Sequence, residues 1–111
     1  MKEHYNGIYR VSLLTDEAHR ILMPSYLGYN EHEDHFSSIL TKYINEMVSP
    51  DFHRALMSFL NYDAIKRQLL EGSTPRITYK KVNGESVILT VHSLDENSTN
   101  PNDTLWVFTK A

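Results

Sequence analysis

"PRITYKKVNGESVILTVHSL", residues 75–94, is the stretch from which the fold is read. Two runs rich in β-branched and aromatic residues flank Asn83-Gly84, a dipeptide suited to a turn whose two central residues both take positive φ. The segment therefore reads as a β-hairpin. In its second strand Leu89 and Val91 share one face, while Ile88 and Leu94 share the other.

Downstream, "DENSTNPND" (95–103) is a polar loop, and "TLWVFTKA" (104–111) is a further strand. Trp106 and Phe108 lie on one face of that strand, Leu105 and Val107 on the opposite one, so both faces are apolar. Such a strand is either central in its sheet or covered on its outer face by a partner. A strand that deep in a core, placed at the last residues, suggests a module cut from something longer, so residues 1–111 read as a single domain excised from a longer protein.

Upstream the period changes. Phe36, Ile39, Leu40, Tyr43, Ile44, Met47 and Val48 recur at i, i+3, i+4 and i+7 spacing, the stripe of an amphipathic helix. Ser49-Pro50-Asp51 then interrupts and restarts it, with Ser49 as cap, Pro50 at the first helical position and Asp51 at the positive helix end. This second helix buries Phe52, Leu56, Phe59 and Leu60. Asn61 caps a third, whose apolar side is Ile65, Leu69 and Leu70, and Gly72 ends it. Nearer the start, "GIYRVSLLT" (7–15) sets Tyr9, Val11 and Leu13 against Ile8, Arg10 and Ser12, a period of two. "TDE" (15–17) is a turn, and "AHRILMPS" (18–25) is a second strand stopped by Pro24. The order ββαααβββ predicts an α+β domain: one antiparallel sheet of about five strands, its two hairpins adjacent, with three short helices on one face.

Composition narrows the function classes. At 111 residues the chain suits one core, and 41% hydrophobic with 23% charged residues is the balance of a globular domain, not a disordered one. A net charge of −3 gives no electrostatic reason to approach nucleic acid. The absence of cysteine removes disulfides and thiolate chemistry and fits a reducing cytosol. The apolar runs fall short of a membrane span, and "MKEHYNGIYR" lacks the apolar core of a signal peptide, so a cytoplasmic location without membrane contact is expected.

Several stretches resemble a PAS-like sensor domain, of the divergent type found upstream of bacterial diguanylate cyclase (GGDEF) domains. They are "IYRVSLLTDEAHRIL", the helix joint "YINEMVSPDFHRALMSFL", "IKRQLLEG" and "ITYKKVNGESVILTVHSL". In the joint, Val48, Pro50-Asp51 and Arg54 match the hydrophobic, Pro-acidic and basic places of such modules. The second hairpin strand departs from them, since "ESVILTV" lacks the Trp that often follows the turn. The resemblance spans roughly residues 5–110. It implies a sensory or interaction module of a signalling protein, not an enzyme, with a covalently attached C-terminal output domain such as a diguanylate cyclase. It also implies pairing through the outer sheet face, where Ile88 and Leu94 are candidates for a homodimer contact.

Candidates for chemistry are sparse. "HEDH" (32–35) places His32 and His35 at i and i+3, a spacing that can share a cation, although acidic residues also belong at a helix start. An α+β metal- or ligand-binding enzyme using His32 and His35 is therefore the alternative. His53 is the helical histidine best placed for haem, and His92 is expected to be partly buried. The four glycines are isolated and form no phosphate loop, no catalytic set stands out, and no cofactor is required. Tyr43, Tyr79 and Trp106 are the candidates for lining an interior pocket for a small organic ligand, because buried Tyr and Trp need hydrogen-bond partners.

Overall fold

The computed structural model describes residues 5–22, 35–94 and 102–111. Strands β1 (Tyr5–Ser12) and β2 (Ala18–Leu22) precede helices α1 (Phe36–Met47), α2 (His53–Met57) and α3 (Tyr62–Leu70); β3 (Arg76–Lys80), β4 (Ser86–Ser93) and β5 (Asp103–Lys110) follow. Short 3₁₀ turns at Pro50–Phe52 and Ser58–Leu60 flank α2. The strands form one open antiparallel sheet in the order β2-β1-β5-β4-β3. The domain is α+β, and the predicted fold class is the observed one.

The hairpins are not adjacent, as the sequence reading had them. β5 lies between them, pairing Tyr9 with Trp106 on one side and Val91 with Trp106 on the other. The reason is visible in the strands themselves. β5 is apolar on both faces and tolerates the centre, whereas β2 and β3 carry the exposed His19, Arg20, Arg76, Thr78 and Lys80 and make less adhesive edges.

The β3–β4 turn also differs from expectation. Gly84 alone takes positive φ (87°) there; Asn83 does not. The Gly84 amide donates to the Lys81 carbonyl and the Lys81 amide to the Glu85 carbonyl, giving a three-residue loop with glycine in the left-handed position. Asn83 contributes its side chain instead, accepting from the Glu85 amide at 2.9 Å.

Both ends of α3 follow the local signals. The Asn61 side chain accepts from the Ala64 amide at the start of α3. At the other end the Ser73 amide donates to Gln68 and the Gly72 amide to Leu69, with Gly72 at φ 84°, which is the Schellman arrangement. Ser49 is not the side-chain cap expected from the sequence: it makes no side-chain hydrogen bond, and Pro50 opens a 3₁₀ turn, with α2 itself starting at His53. Phe36, Leu40, Ile44 and Val48 along the α1 stripe, with Leu56 and Ile65, pack on Tyr9, Val11, Tyr79, Val87, Leu89, Val91, Trp106 and Phe108 of the sheet.

Candidate functional site

The inner face of the sheet meets the helices through a continuous chain of rings. Tyr79 on β3 contacts Tyr43 on α1, Tyr43 contacts Phe108 on β5, and Phe108 contacts Tyr9 on β1. Tyr9 contacts Phe36 on α1, and Phe36 stacks at 4.8 Å, tilted, on Trp106. Phe59 and Tyr62 close the chain edge-on against the indole. The inclined geometries place ring edges against ring faces, as the aromatic quadrupole favours.

Each predicted pocket residue occupies a defined place in that chain. Trp106 and Tyr79 are fully buried, and Tyr43 is half-buried. Tyr43 and Tyr79 meet hydroxyl to hydroxyl at 2.6 Å. Burial first, then the Tyr43 hydroxyl and the nearby Glu85 carboxylate, push the Tyr79 phenol far above its usual range. Trp106 stands apart from that pair: its Nε1–H donates to Thr104 Oγ1 at 2.9 Å, and the Thr104 hydroxyl donates to the Val11 carbonyl at 2.8 Å. Structure thus brings Tyr43 and Tyr79 together directly and joins Trp106 to them through Phe108, Tyr9 and Phe36.

Two polar features here had no sequence signal. Lys81 is buried at the β3–β4 turn, with its Nζ 3.6 Å from the Glu85 carboxylate. Glu85 Oε1 is itself shielded from solvent. The second feature is Asp16, which takes φ 64° in the β1–β2 turn, a left-handed conformation that Asp adopts more readily than most residues. Its carboxylate accepts from the Ser37 amide at 3.0 Å, from the Ser37 hydroxyl, and from the Tyr62 hydroxyl at 2.5 Å. Its carbonyl accepts from the Phe36 amide. One turn residue therefore supplies the N-terminal cap of α1, where His35 makes no side-chain cap, and holds the first residue of α3. Burial, then this carboxylate, raise the Tyr62 phenol well above its usual range.

The histidines separate. His35 is exposed at the start of α1, its backbone bridging to Glu17, and His32 lies outside the described residues. Among the described residues no group of three or more His, Asp or Glu side chains is placed to hold a metal. His53 Nε2 sits 2.7 Å from the Val48 carbonyl, so that nitrogen carries hydrogen and donates, closing the C-terminal end of α1. His92 is exposed, not partly buried as expected, and pairs with Thr90 at 2.9 Å on the outer face of β4.

An open groove of about 550 Å³ runs along α1, lined by Ser37, Ser38, Thr41, Lys42, Asn45 and Glu46. It lies on the opposite side of the helix from Leu40 and Ile44, and Tyr43, Tyr79 and Trp106 do not line it. No described helix is long and apolar enough to cross a membrane. No family model, curated protein or solved structure matches the chain.

Proposed function

We propose that this chain is a regulatory input or protein-interaction module of a cytoplasmic bacterial signalling protein, PAS-like in kind and without catalysis of its own. In this reading it controls an output domain, such as a diguanylate cyclase, joined beyond β5. The observation that carries it is the position of β5. That strand hydrogen-bonds to both hairpins, presents Trp106 and Phe108 to the helical layer, and leaves Leu105 and Val107 half-buried on the open face. A displacement of either hairpin or of α1 therefore has to be accommodated by β5, which leads toward the output domain.

The ligand part of the proposal centres on Tyr43, Tyr79 and Trp106. The Tyr43–Tyr79 pair is a hydroxyl contact that a ligand hydroxyl or carbonyl replaces at little net cost, because the hydrogen bond is exchanged and not lost. Opening it moves α1 relative to β3, and Phe108 against Tyr43 passes that movement to β5. A homodimer contact through Ile88 and Leu94 on the outer sheet face belongs to the same reading.

Native mass spectrometry of the intact chain, compared with the denatured protein, tests both parts. A small molecule released on unfolding supports the input role and gives a candidate mass. Bare chain at every condition, with Tyr43→Phe and Tyr79→Phe leaving output activity of the full-length protein unchanged, would remove the ligand part and leave an interaction module.

A further inference from the structure

Strand β3 is an edge of the sheet, and its two long sides differ. The Lys81 amide donates to the Glu85 carbonyl and the Val91 amide to the Pro75 carbonyl, so the odd-numbered residues of 75–81 turn their backbone groups toward β4. Arg76, Thr78 and Lys80 therefore turn theirs away from the sheet. At Lys80 that outward side is in use. The Ser49 amide donates to the Lys80 carbonyl at 2.9 Å, the Val82 amide donates to the Met47 carbonyl at 2.8 Å, and Val48 stands antiparallel to Lys81. The chain thus begins a further strand on β3 and abandons it at Pro50, which has no N–H and opens the 3₁₀ turn. Beyond that point the outward N–H and C=O groups of Arg76 and Thr78 meet no backbone partner among the described residues. The side chains along this opening carry positive charge. Arg76, Thr78 and Lys80 are exposed on one face; across the β3–β4 ladder they stand opposite Thr90, Ile88 and Ser86, none of them acidic. Neither cation makes an ion pair among the described residues. On the other face Ile77 is half-buried against the core.

We propose that the open side of β3 takes an acidic polypeptide segment as an added strand, paired antiparallel in the direction that residues 47–49 already follow. Backbone hydrogen bonds to Arg76 and Thr78 supply the attachment, and alternate side chains supply the selection. Carboxylates on one face of the segment stand opposite Arg76 and Lys80, within the cross-strand distance of about 5 Å, while β-branched residues on its other face lie beside Ile77. A second copy of the chain is a poorer occupant. Two β3 edges paired antiparallel about Thr78 set cation opposite cation on both sides of the axis, and like charges so placed are destabilising. The charges that keep copies apart are thus the ones that admit an acidic strand. This partner rests on the interaction-module reading and gives its chemistry. It does not involve the Tyr43–Tyr79 pair, so the test of the ligand and the test of the edge fail separately.

The test titrates the isotope-labelled 111-residue chain with a synthetic peptide of about six residues, alternating Glu and Val. One control peptide has Lys in place of every Glu; another keeps the charge but is N-methylated at the Glu amides, so that it cannot pair. With the acidic peptide, exchange of the outward Thr78 amide is expected to slow about tenfold or more, with Ile77 and Tyr79, already turned toward β4, unchanged. Neither control should slow it. Arg76→Glu with Lys80→Glu, both exposed edge substitutions, is expected to weaken binding about tenfold or more. Thr78→Pro removes the outward N–H while leaving the β3–β4 ladder its bonds, a place where an edge strand tolerates proline, and should abolish binding. Absence of binding, equal binding of the acidic and basic peptides, or binding that leaves Thr78 exchange unchanged would each overturn the proposal. So would slowing of Thr78 exchange that grows with the concentration of the chain alone, because a second copy would then be the occupant.

Discussion

The two faces of β5 differ by a single residue step and by nearly everything else. Thr104, Trp106 and Phe108 are sealed beneath helices, and the one polar side chain among them is satisfied on both sides, accepting from the indole and donating to Val11. Leu105 and Val107 are wholly aliphatic but sit under no element of the described chain and are half-buried. The contrast teaches that apolar character alone does not distinguish a packed face from an available one. What distinguishes them is whether an element of the chain packs against the face, as the helices do against Trp106 and Phe108.

Substitutions on the inner face should be the most disruptive. Trp106→Ala removes an indole touching Phe36, Phe59 and Tyr62, and is expected to cost about 3–5 kcal/mol in urea unfolding. If it costs no more than Val107→Ala, the distinction between the faces is wrong. Thr104→Val keeps the shape but strands the indole N–H, with an expected loss of about 1–3 kcal/mol. Asp16→Ala removes the acceptor shared by α1 and α3, for about 1–2 kcal/mol, and should loosen hydrogen-exchange protection at Ser37 before that of β4.

Alkaline pH sharpens the comparison through Tyr79. Its folded-state pKa is raised above the ordinary phenol value, so its contribution is intact below about pH 10. Above that the unfolded chain releases the proton that the folded one retains. Stability should then fall by about 1.4 kcal/mol per pH unit for this group, a slope that Tyr79→Phe removes. Absorbance at the phenolate band should show Tyr62 and Tyr79 silent until the protein unfolds. Smallest of all is Val107→Thr on the outer face, expected within about 0.5 kcal/mol of the parent. A larger loss would show that the face is already covered in solution.

Local features were legible in the sequence because their signals and their partners lie within a few residues. The α1 stripe, the Asn61 cap, the Gly72 terminus and the opposite faces of β5 follow from periodicity and from backbone groups close at hand. The Asn83-Gly84 turn was located correctly but assigned the wrong loop, since that dipeptide also serves a three-residue loop with glycine alone in the left-handed position. Features set at long range were not legible. "TDE" looks like any turn, and nothing in it shows that Asp16 reaches Ser37 and Tyr62, which stand 21 and 46 residues away. Lys81 beside Lys80 gives no sign of which one is buried. The insertion of β5 between the hairpins depends on pairings with both β1 and β4, and strand order is not written in either partner alone.

That last placement has a consequence for how the molecule is made. The Thr104–Val11 hydrogen bond joins residues 93 positions apart, and every contact on the two central ladders waits for β5. Until that strand emerges from the ribosome, β1 and β4 each expose an unpaired apolar edge, the condition under which nascent sheets stick to other chains. A high share of distant contacts predicts slow folding for a domain of this size, in the millisecond-to-second range. A nascent chain stalled before residue 103 should accordingly be a strong chaperone client, and one released after residue 110 should not.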